Sequence, residues 1–206
     1  MRGDITEAQL ATYLESREVG VDTETMGLNT LRDRLCLVQL CDRERHATIV
    51  QIPRETLSAP MGARAPRLKK LMEDRNTLKI FHFARFDVAA LRHYLGIEVD
   101  PLYCTRTASK LVRTYTDRHG LKDIALELLD VQLDKAARHT DWSANELAAE
   151  QVQYAISDVT LLHQLMDRLE KMIEREGRRD LAQACFRVIP TLSRLDLMGY
   201  EDIFIH

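Results

Sequence analysis

Two carboxylates one residue apart close a short apolar run in Val19-Gly20-Val21-Asp22-Thr23-Glu24-Thr25-Met26-Gly27-Leu28. Val19 and Val21 are β-branched and favour a strand. Side chains alternate along a strand, so Asp22 and Glu24 point to the same face. Carboxylates aimed at one point repel each other, and a divalent cation between them turns that cost into a binding site. With 32 acidic residues in 206, acid-x-acid triplets arise by chance roughly five times. The pair is therefore half of a metal site only if it has partners downstream.

Two later segments offer them. Leu78-Lys79-Ile80-Phe81-His82-Phe83-Ala84-Arg85-Phe86-Asp87 repeats the theme of an apolar strand followed by an acid. Asp87 opens the next helix, the place where open α/β sheets gather ligands. It can equally cap a helix over Val88–Leu95, a role worth about 1 kcal/mol. In Tyr154-Ala155-Ile156-Ser157-Asp158 the tyrosine and the aspartate are four apart and share a helix face. Ile156, Val159, Leu161 and Leu162 surround Asp158 in sequence. A carboxylate in such company needs a partner or a cation, unless it is half exposed beside a core tyrosine.

The elements that must position these groups follow from periodicity. A short helix is expected over 4–16. Three apolar runs, 18–23, 35–41 and 47–52, are separated by charged turns and suggest an antiparallel meander. Residues 53–66, with three prolines and Gly62, read as a loop, and 67–72 as a short helix. Leu78–Phe83 is a fourth strand, followed by a helix over Phe86–Leu95 that stops at Gly96. Further helices are expected over 104–113 and 120–130, each with apolar residues three and four apart. Trp142 falls in a loop. One long helix spans Asn145–Glu176, capped at Ser143 or Asn145, and 179–206 is helix and then irregular tail. Strands first, then strand and helices alternating, indicate an α/β fold with a mixed sheet.

Composition bounds the rest. A chain of 206 residues with 45% hydrophobic content builds one domain with a full core. No run approaches the ~18 apolar residues of a membrane span, and Met1-Arg2-Gly3-Asp4-Ile5 opens no apolar signal core. A soluble cytoplasmic protein without a membrane partner is the expectation. Cys36, Cys41, Cys104 and Cys185 lack zinc spacing and read as reduced core thiols, Cys36 and Cys41 on opposite strand faces. The net charge of −3 shows no large basic surplus for gripping long nucleic acid.

Taken together, Asp22, Glu24, Asp87 and Asp158 with Tyr154 resemble the DEDD exonuclease superfamily in its tyrosine-bearing branch. The order agrees: Asp22-Thr23-Glu24, then His82 through Asp87, then Tyr154-x-x-x-Asp158. The flanks resemble ribonuclease D: Leu37-Val38-Gln39-Leu40 follows the first motif, and Gly120-Leu121-Lys122, Leu133-Asp134-Lys135 and Asp141-Trp142 precede the third. Too few residues follow Asp158 for the helical nucleic-acid-binding domains of full-length ribonuclease D, so the chain is most similar to the short nano-RNase C relatives.

The resemblance implies a ribonuclease H-like mixed sheet flanked by helices, with an exonuclease domain over 1–175 and a C-terminal helix and tail over 176–206 as an oligomer contact. It implies a 3′–5′ exoribonuclease that releases 5′-nucleoside monophosphates and favours very short RNA, dinucleotides included. The alternatives are ribonuclease D-like action on longer structured RNA, or a DNA 3′–5′ exonuclease. It also implies two Mg²⁺ or Mn²⁺ ions roughly 4 Å apart, a choice that oxygen ligands suit. Asp22, Glu24 and Asp158 would hold the first, and Asp22 with a water-mediated Asp87 the second. A phenol titrates near ~10, so Tyr154 orients the attacking water rather than acting as its base. Homo-oligomers built from dimers, up to octameric rings, are implied as well.

Substrate contacts are expected from Thr25, Met26, Leu28, His82 and Lys135. Leu28 stands where relatives wedge a leucine between two bases, and His82 where the branch has a histidine near the 3′-terminal sugar. Arg113, Arg118, His119, Lys122, Lys135 and Arg138 are the basic candidates for a 5′ phosphate. A two-nucleotide substrate offers few phosphates, which agrees with the absent basic surplus. The apolar tail 195–206 is expected to cover a surface, either this chain's core or a subunit interface.

Overall fold

The computed structural model describes residues 1–133, 140–200 and 203. The chain opens with helix α1 (Glu7–Ser16), started by a capping box in which Thr6 and Gln9 satisfy each other's backbone amides. Strands β1 (Glu18–Thr25), β2 (Leu35–Cys41) and β3 (Ala47–Gln51) form the antiparallel meander expected from the three apolar runs. After helices α2 (Arg54–Ser58) and α3 (Pro66–Glu73), β4 (Leu78–Phe81) pairs parallel to β1. Helix α4 (Ala84–Leu95) follows and ends at left-handed Gly96. Strand β5 (Leu102–Cys104) then pairs parallel to β4, giving the order β3-β2-β1-β4-β5. Helices α5 (Thr105–Val112), α6 (Leu121–Leu129), α7 (Ala149–Thr160), α8 (Leu162–Arg175) and α9 (Arg179–Leu197) complete the described elements. A mixed sheet flanked by helices is the fold that the sequence implied.

β2 carries six apolar residues and Gln39 without alternation, and all seven residues are buried because helices cover both faces of the sheet. Cys36 and Cys41 enter different core clusters, as their odd spacing requires. Among the described residues the thiols are free. The main cluster lies between the sheet and α1, α3, α4, α8 and α9.

Four expectations need correction. The segment read as a loop over 53–66 contains α2 and a 3₁₀ turn at Met61–Ala63. Pro53 and Pro60 sit ahead of these turns, where proline's fixed φ is tolerated. Three-residue β5 is too short for a period-2 signal. The long helix over 145–176 is two helices that break at Leu161, and the first begins at Ala149 with Ala148, rather than Ser143 or Asn145, at the cap position. No glycine or proline marks that break; it lets α7 pack on β1–β3 while α8 packs on β1, β4, α5 and α6. Finally, α4 begins at Ala84 with Phe83 at the cap position, so Asp87 does not cap it.

The tail is partly covered by this chain. α9 docks on α4 through a two-pronged ion pair, Arg85 with Asp196 at 2.6 and 2.7 Å, and Ser193 donates to the Arg85 carbonyl. Met198, Tyr200 and Ile203 are exposed. Residues 201, 202 and 204–206 lie outside the described residues.

Candidate active site

β1 carries Asp22 and Glu24 to the face on which α7 packs, and Asp158 meets them from the last turn of α7. One carboxylate oxygen from each of the three lies within 4.8 Å of the other two. Gly20 permits the approach. A Cβ there would stand 3.0 Å from the Val159 carbonyl oxygen and 3.4 Å from the Leu162 side chain. A bare backbone at Gly20 thus lets the α7–α8 junction settle onto the strand that holds the acids. Directly beyond, the β1–β2 register slips between Glu24 and Thr25, a bulge that ends the ladder at the site.

Asp87 reaches the site by another route. Strand alternation turns Thr23 away from its acidic neighbours, and its hydroxyl donates to Asp87 Oδ1 at 2.7 Å. Asp87 is 4% exposed and is not one of the three residues whose oxygens converge. It lies close enough to Asp22 to act on it. Burial first, then the charges of Asp87, Glu24 and Asp158, hold the Asp22 carboxyl well above the usual carboxylate range. Burial likewise lifts Asp87 to about 7, against the lowering pull of the Thr23 hydrogen bond. Hard oxygen donors that hold protons this firmly are poised to exchange them for a small divalent cation. The donor set suits Mg²⁺ or Mn²⁺.

Tyr154 lines the same cavity as Asp22 and Asp158. Burial, then the Asp158 and Glu24 charges, push its phenol above the ordinary range. Trp142, buried in its loop, holds the ring from behind with centroids 6.0 Å apart. That loop is fastened by Gln151, which donates to Thr140 Oγ1 and the Asp141 carbonyl, and by Arg34, which donates to the Ser143 carbonyl.

The cavity encloses about 320 Å³, the lower end of the range of about 300–1,000 Å³ for ligand pockets. Its far wall comprises His82, Phe83 and Arg106 with the start of α6 at Gly120, Leu121 and Lys122. His82 bonds Thr105 Oγ1 at 2.9 Å. Burial, then the Arg106 charge, push its imidazole down to about 3. Phe83 is 48% exposed at φ 65°, a left-handed conformation that bulky residues rarely adopt. The Arg106 guanidinium stands 4.4 Å over its ring. Among the described residues neither Arg106 nor Lys122 has a carboxylate partner.

Leu28 is 88% exposed at the tip of the β1–β2 turn. The turn is built firmly beneath it. Asp33 Oδ2 accepts from the Asn29 amide, Asn29 Oδ1 accepts from the Leu31 and Arg32 amides, and the Thr25 hydroxyl donates to the Gly27 carbonyl. Thr25 therefore shapes the turn with its hydroxyl, while Met26, 52% exposed, stands open beside Leu28. Lys135 and Arg138 lie outside the described residues. Arg113 is fully buried and held by Glu127, Ser109 and the Arg118 carbonyl, and His119 bonds Ser109. These two fasten the segment before α6 and are withdrawn from any phosphate, which corrects that expectation.

Phe83, Arg106 and Thr23 were not singled out from sequence. Thr23 had a signal, a hydroxyl between two acids. Arg106 had none, since only the fold brings it to His82 and Phe83.

Comparison with known proteins agrees with this geometry. A family model described as 3′–5′ exonuclease matches residues 4–174. Ribonuclease D of Gluconacetobacter diazotrophicus is 33% identical over 162 residues, which cover 79% of this chain and 39% of that protein. The chain thus spans about two-fifths of the length of that curated relative. Among solved structures, Brucella melitensis NrnC bound to pGG is 47% identical with TM-score 0.91, covering 100% of this chain and 96% of that one. The same protein with bound Mg²⁺ gives 47% and TM-score 0.89 at the same coverage.

Proposed function

Because the chain belongs to the 3′–5′ exonuclease family of the ribonuclease D type, we propose that it hydrolyses RNA from the 3′ end to 5′-nucleoside monophosphates and favours very short RNA. The observation that carries this reading is the meeting of Asp22, Glu24 and Asp158 oxygens within 4.8 Å, with Tyr154 in the same cavity.

A divalent cation held by Asp22, Glu24 and Asp158, with a second supported by Asp22 and Asp87, would supply Lewis acidity to a phosphodiester and offset charge on its leaving oxygen. The protein's own groups do the rest. Tyr154 keeps its proton at neutral pH and aligns the attacking water by a hydrogen bond. Thr23 fixes the rotamer of Asp87. Trp142 fixes the plane of the Tyr154 ring. His82, which lines the same cavity as Asp22, stays neutral and adds no charge that would compete for the carboxylates.

The preference for short RNA has three supports. The cavity is small. Arg106 and Lys122 offer two cations to a single phosphate rather than a basic track to many. The related NrnC is described with pGG bound. Leu28 and Met26, held out on a preformed turn, would meet the bases, Leu28 as the wedge between them. Lys135 would add a contact from the segment before Trp142. A homo-oligomer of dimers and a cytoplasmic setting belong to the same proposal. A length series of 5′-labelled RNAs with Mg²⁺ or Mn²⁺, resolved at single-nucleotide steps, tests it. Stepwise loss from the 3′ end, fastest for the dinucleotide, is expected. Faster turnover of a long RNA would sink the length preference, and endonucleolytic products would sink the exonuclease reading.

A further inference from the structure

Thr105 begins α5 and is fully buried, and it touches two groups at once. Its Oγ1 lies 3.2 Å from the Phe81 carbonyl oxygen and 2.9 Å from His82 Nδ1. A threonine hydroxyl has one proton and two lone pairs. If that proton goes to His82 Nδ1, Thr105 Oγ1 and the Phe81 carbonyl face each other lone pair to lone pair. If it goes to the carbonyl, Oγ1 is left to accept from Nδ1–H, and both contacts become hydrogen bonds. The second arrangement makes two bonds in a buried place where the first makes one, and a buried unmade bond is costly.

We infer that Thr105 is a positioning residue that fixes His82 in the Nδ1–H tautomer, so that in the contact which the family resemblance implies between His82 and the 3′-terminal sugar a bare Nε2 accepts from a ribose hydroxyl. His82 lines the cavity while its Nδ1 edge is turned to Thr105, which leaves the Nε2 edge on the cavity side. Nε2 is neither bonded among the described residues nor sealed from solvent. An uncharged nitrogen lone pair repels phosphate oxygens and requires a donor. The donors of an RNA end are its sugar hydroxyls and its base N–H groups. Nε2 shares the cavity with Asp22 and Asp158, where the scissile phosphate must come, and the sugar hydroxyls are the donors nearest a phosphate. The role of the lone pair is recognition. With its proton on Nδ1 committed to Thr105, His82 has none to donate on the cavity side.

The sugar half of this inference rests on the proposed nuclease reading, whereas the tautomer does not, and the experiment separates them. In the full-length protein labelled with ¹⁵N-histidine, long-range ¹H–¹⁵N spectra at neutral pH report each tautomer, and His82→Gln identifies the signal. A protonated Nδ1 with an unprotonated Nε2 is expected; a proton on Nε2 overturns the inference. RNA dinucleotides ending in ribose, 2′-deoxyribose or 3′-deoxyribose then identify which hydroxyl is read. One of the two deoxy ends should raise KM about tenfold, the size of a single hydrogen bond. Thr105→Val should abolish that difference through KM more than kcat, and Thr105→Ser, which keeps the hydroxyl, should restore it. Equal KM ratios in wild type and Thr105→Val overturn the inference even if the tautomer is as stated. A wild type that cleaves none of the three refutes the nuclease reading and the sugar contact together, with the spectrum still deciding the tautomer.

Discussion

Substituting alanine for Gly20 perturbs the site at its narrowest point without touching an acid. The new Cβ would stand 3.0 Å from the Val159 carbonyl oxygen, a backbone atom that cannot rotate away, and 3.4 Å from two atoms of Leu162. The α7–α8 junction must therefore recede by a few tenths of an ångström. Overpacking costs about 1–3 kcal/mol, and the loss of glycine's unfolded-state freedom returns about 0.5–1 kcal/mol. A net loss of about 1 kcal/mol lowers Tm by roughly 2–4 °C in a chain of this size. The larger effect falls on cation binding, because Asp158 sits one residue before Val159 and moves with it. Mg²⁺ tolerates little departure from octahedral geometry at about 2.0–2.1 Å, and misplaced ligand support typically costs about 10–100-fold in metal affinity. Thermal melts and the Mg²⁺ concentration for half-maximal hydrolysis measure the two. A small Tm loss with at least a tenfold higher Mg²⁺ requirement is expected. Wild-type values of both would refute the claim that this close approach positions Asp158.

Other outcomes follow from the same geometry. Asp87 is raised to about 7 and Asp22 well above the carboxylate range, both chiefly by burial. The cation-free native state thus holds protons that the unfolded chain has released, and the stability they lend is lost as pH rises through the folded values. Added Mg²⁺ should raise Tm little near pH 5.5 and much more at pH 8; the opposite trend would contradict these environments. Gly27→Ala places a Cβ 2.3 Å from Asp33 Oδ2 and should loosen the turn that presents Leu28, raising KM for a dinucleotide several-fold with a smaller change in kcat; an unchanged KM would remove Leu28 from the substrate. Arg113→Leu should cost about 2 kcal/mol and roughly 4–8 °C of Tm while leaving KM unchanged; a raised KM at wild-type Tm would return Arg113 to the phosphate contacts.

What was legible in the sequence was local. Period-2 alternation put Asp22 and Glu24 on one face, and the i, i+4 spacing paired Tyr154 with Asp158, because both rules act within one element. The apolar runs that became β1–β3 were equally plain. The break at Leu161 was not, since α7 and α8 separate to pack on different partners and no residue there forbids a continuous helix. The same reason hid Arg106 and Thr105: their importance lies in meeting His82 and Phe83 across the sheet. Arg113 misled because a cation in a polar segment reads as exposed, whereas Glu127 and two oxygens close by draw it inside. Asp87 was placed in the site for its position after a strand, but its mode of attachment through Thr23 required the fold.

The central claim is that acids from β1 and α7 hold one cation on which RNA hydrolysis depends. Hydrolysis of a 5′-phosphorylated RNA dinucleotide, followed across Mg²⁺ concentrations for the wild type and Asp158→Asn, tests it most directly. The expected result is release of nucleoside 5′-monophosphates by the wild type, abolished by chelation, and a loss of several orders of magnitude in Asp158→Asn that excess Mg²⁺ does not restore. Wild-type rates in Asp158→Asn, or hydrolysis that persists after chelation, would contradict the account.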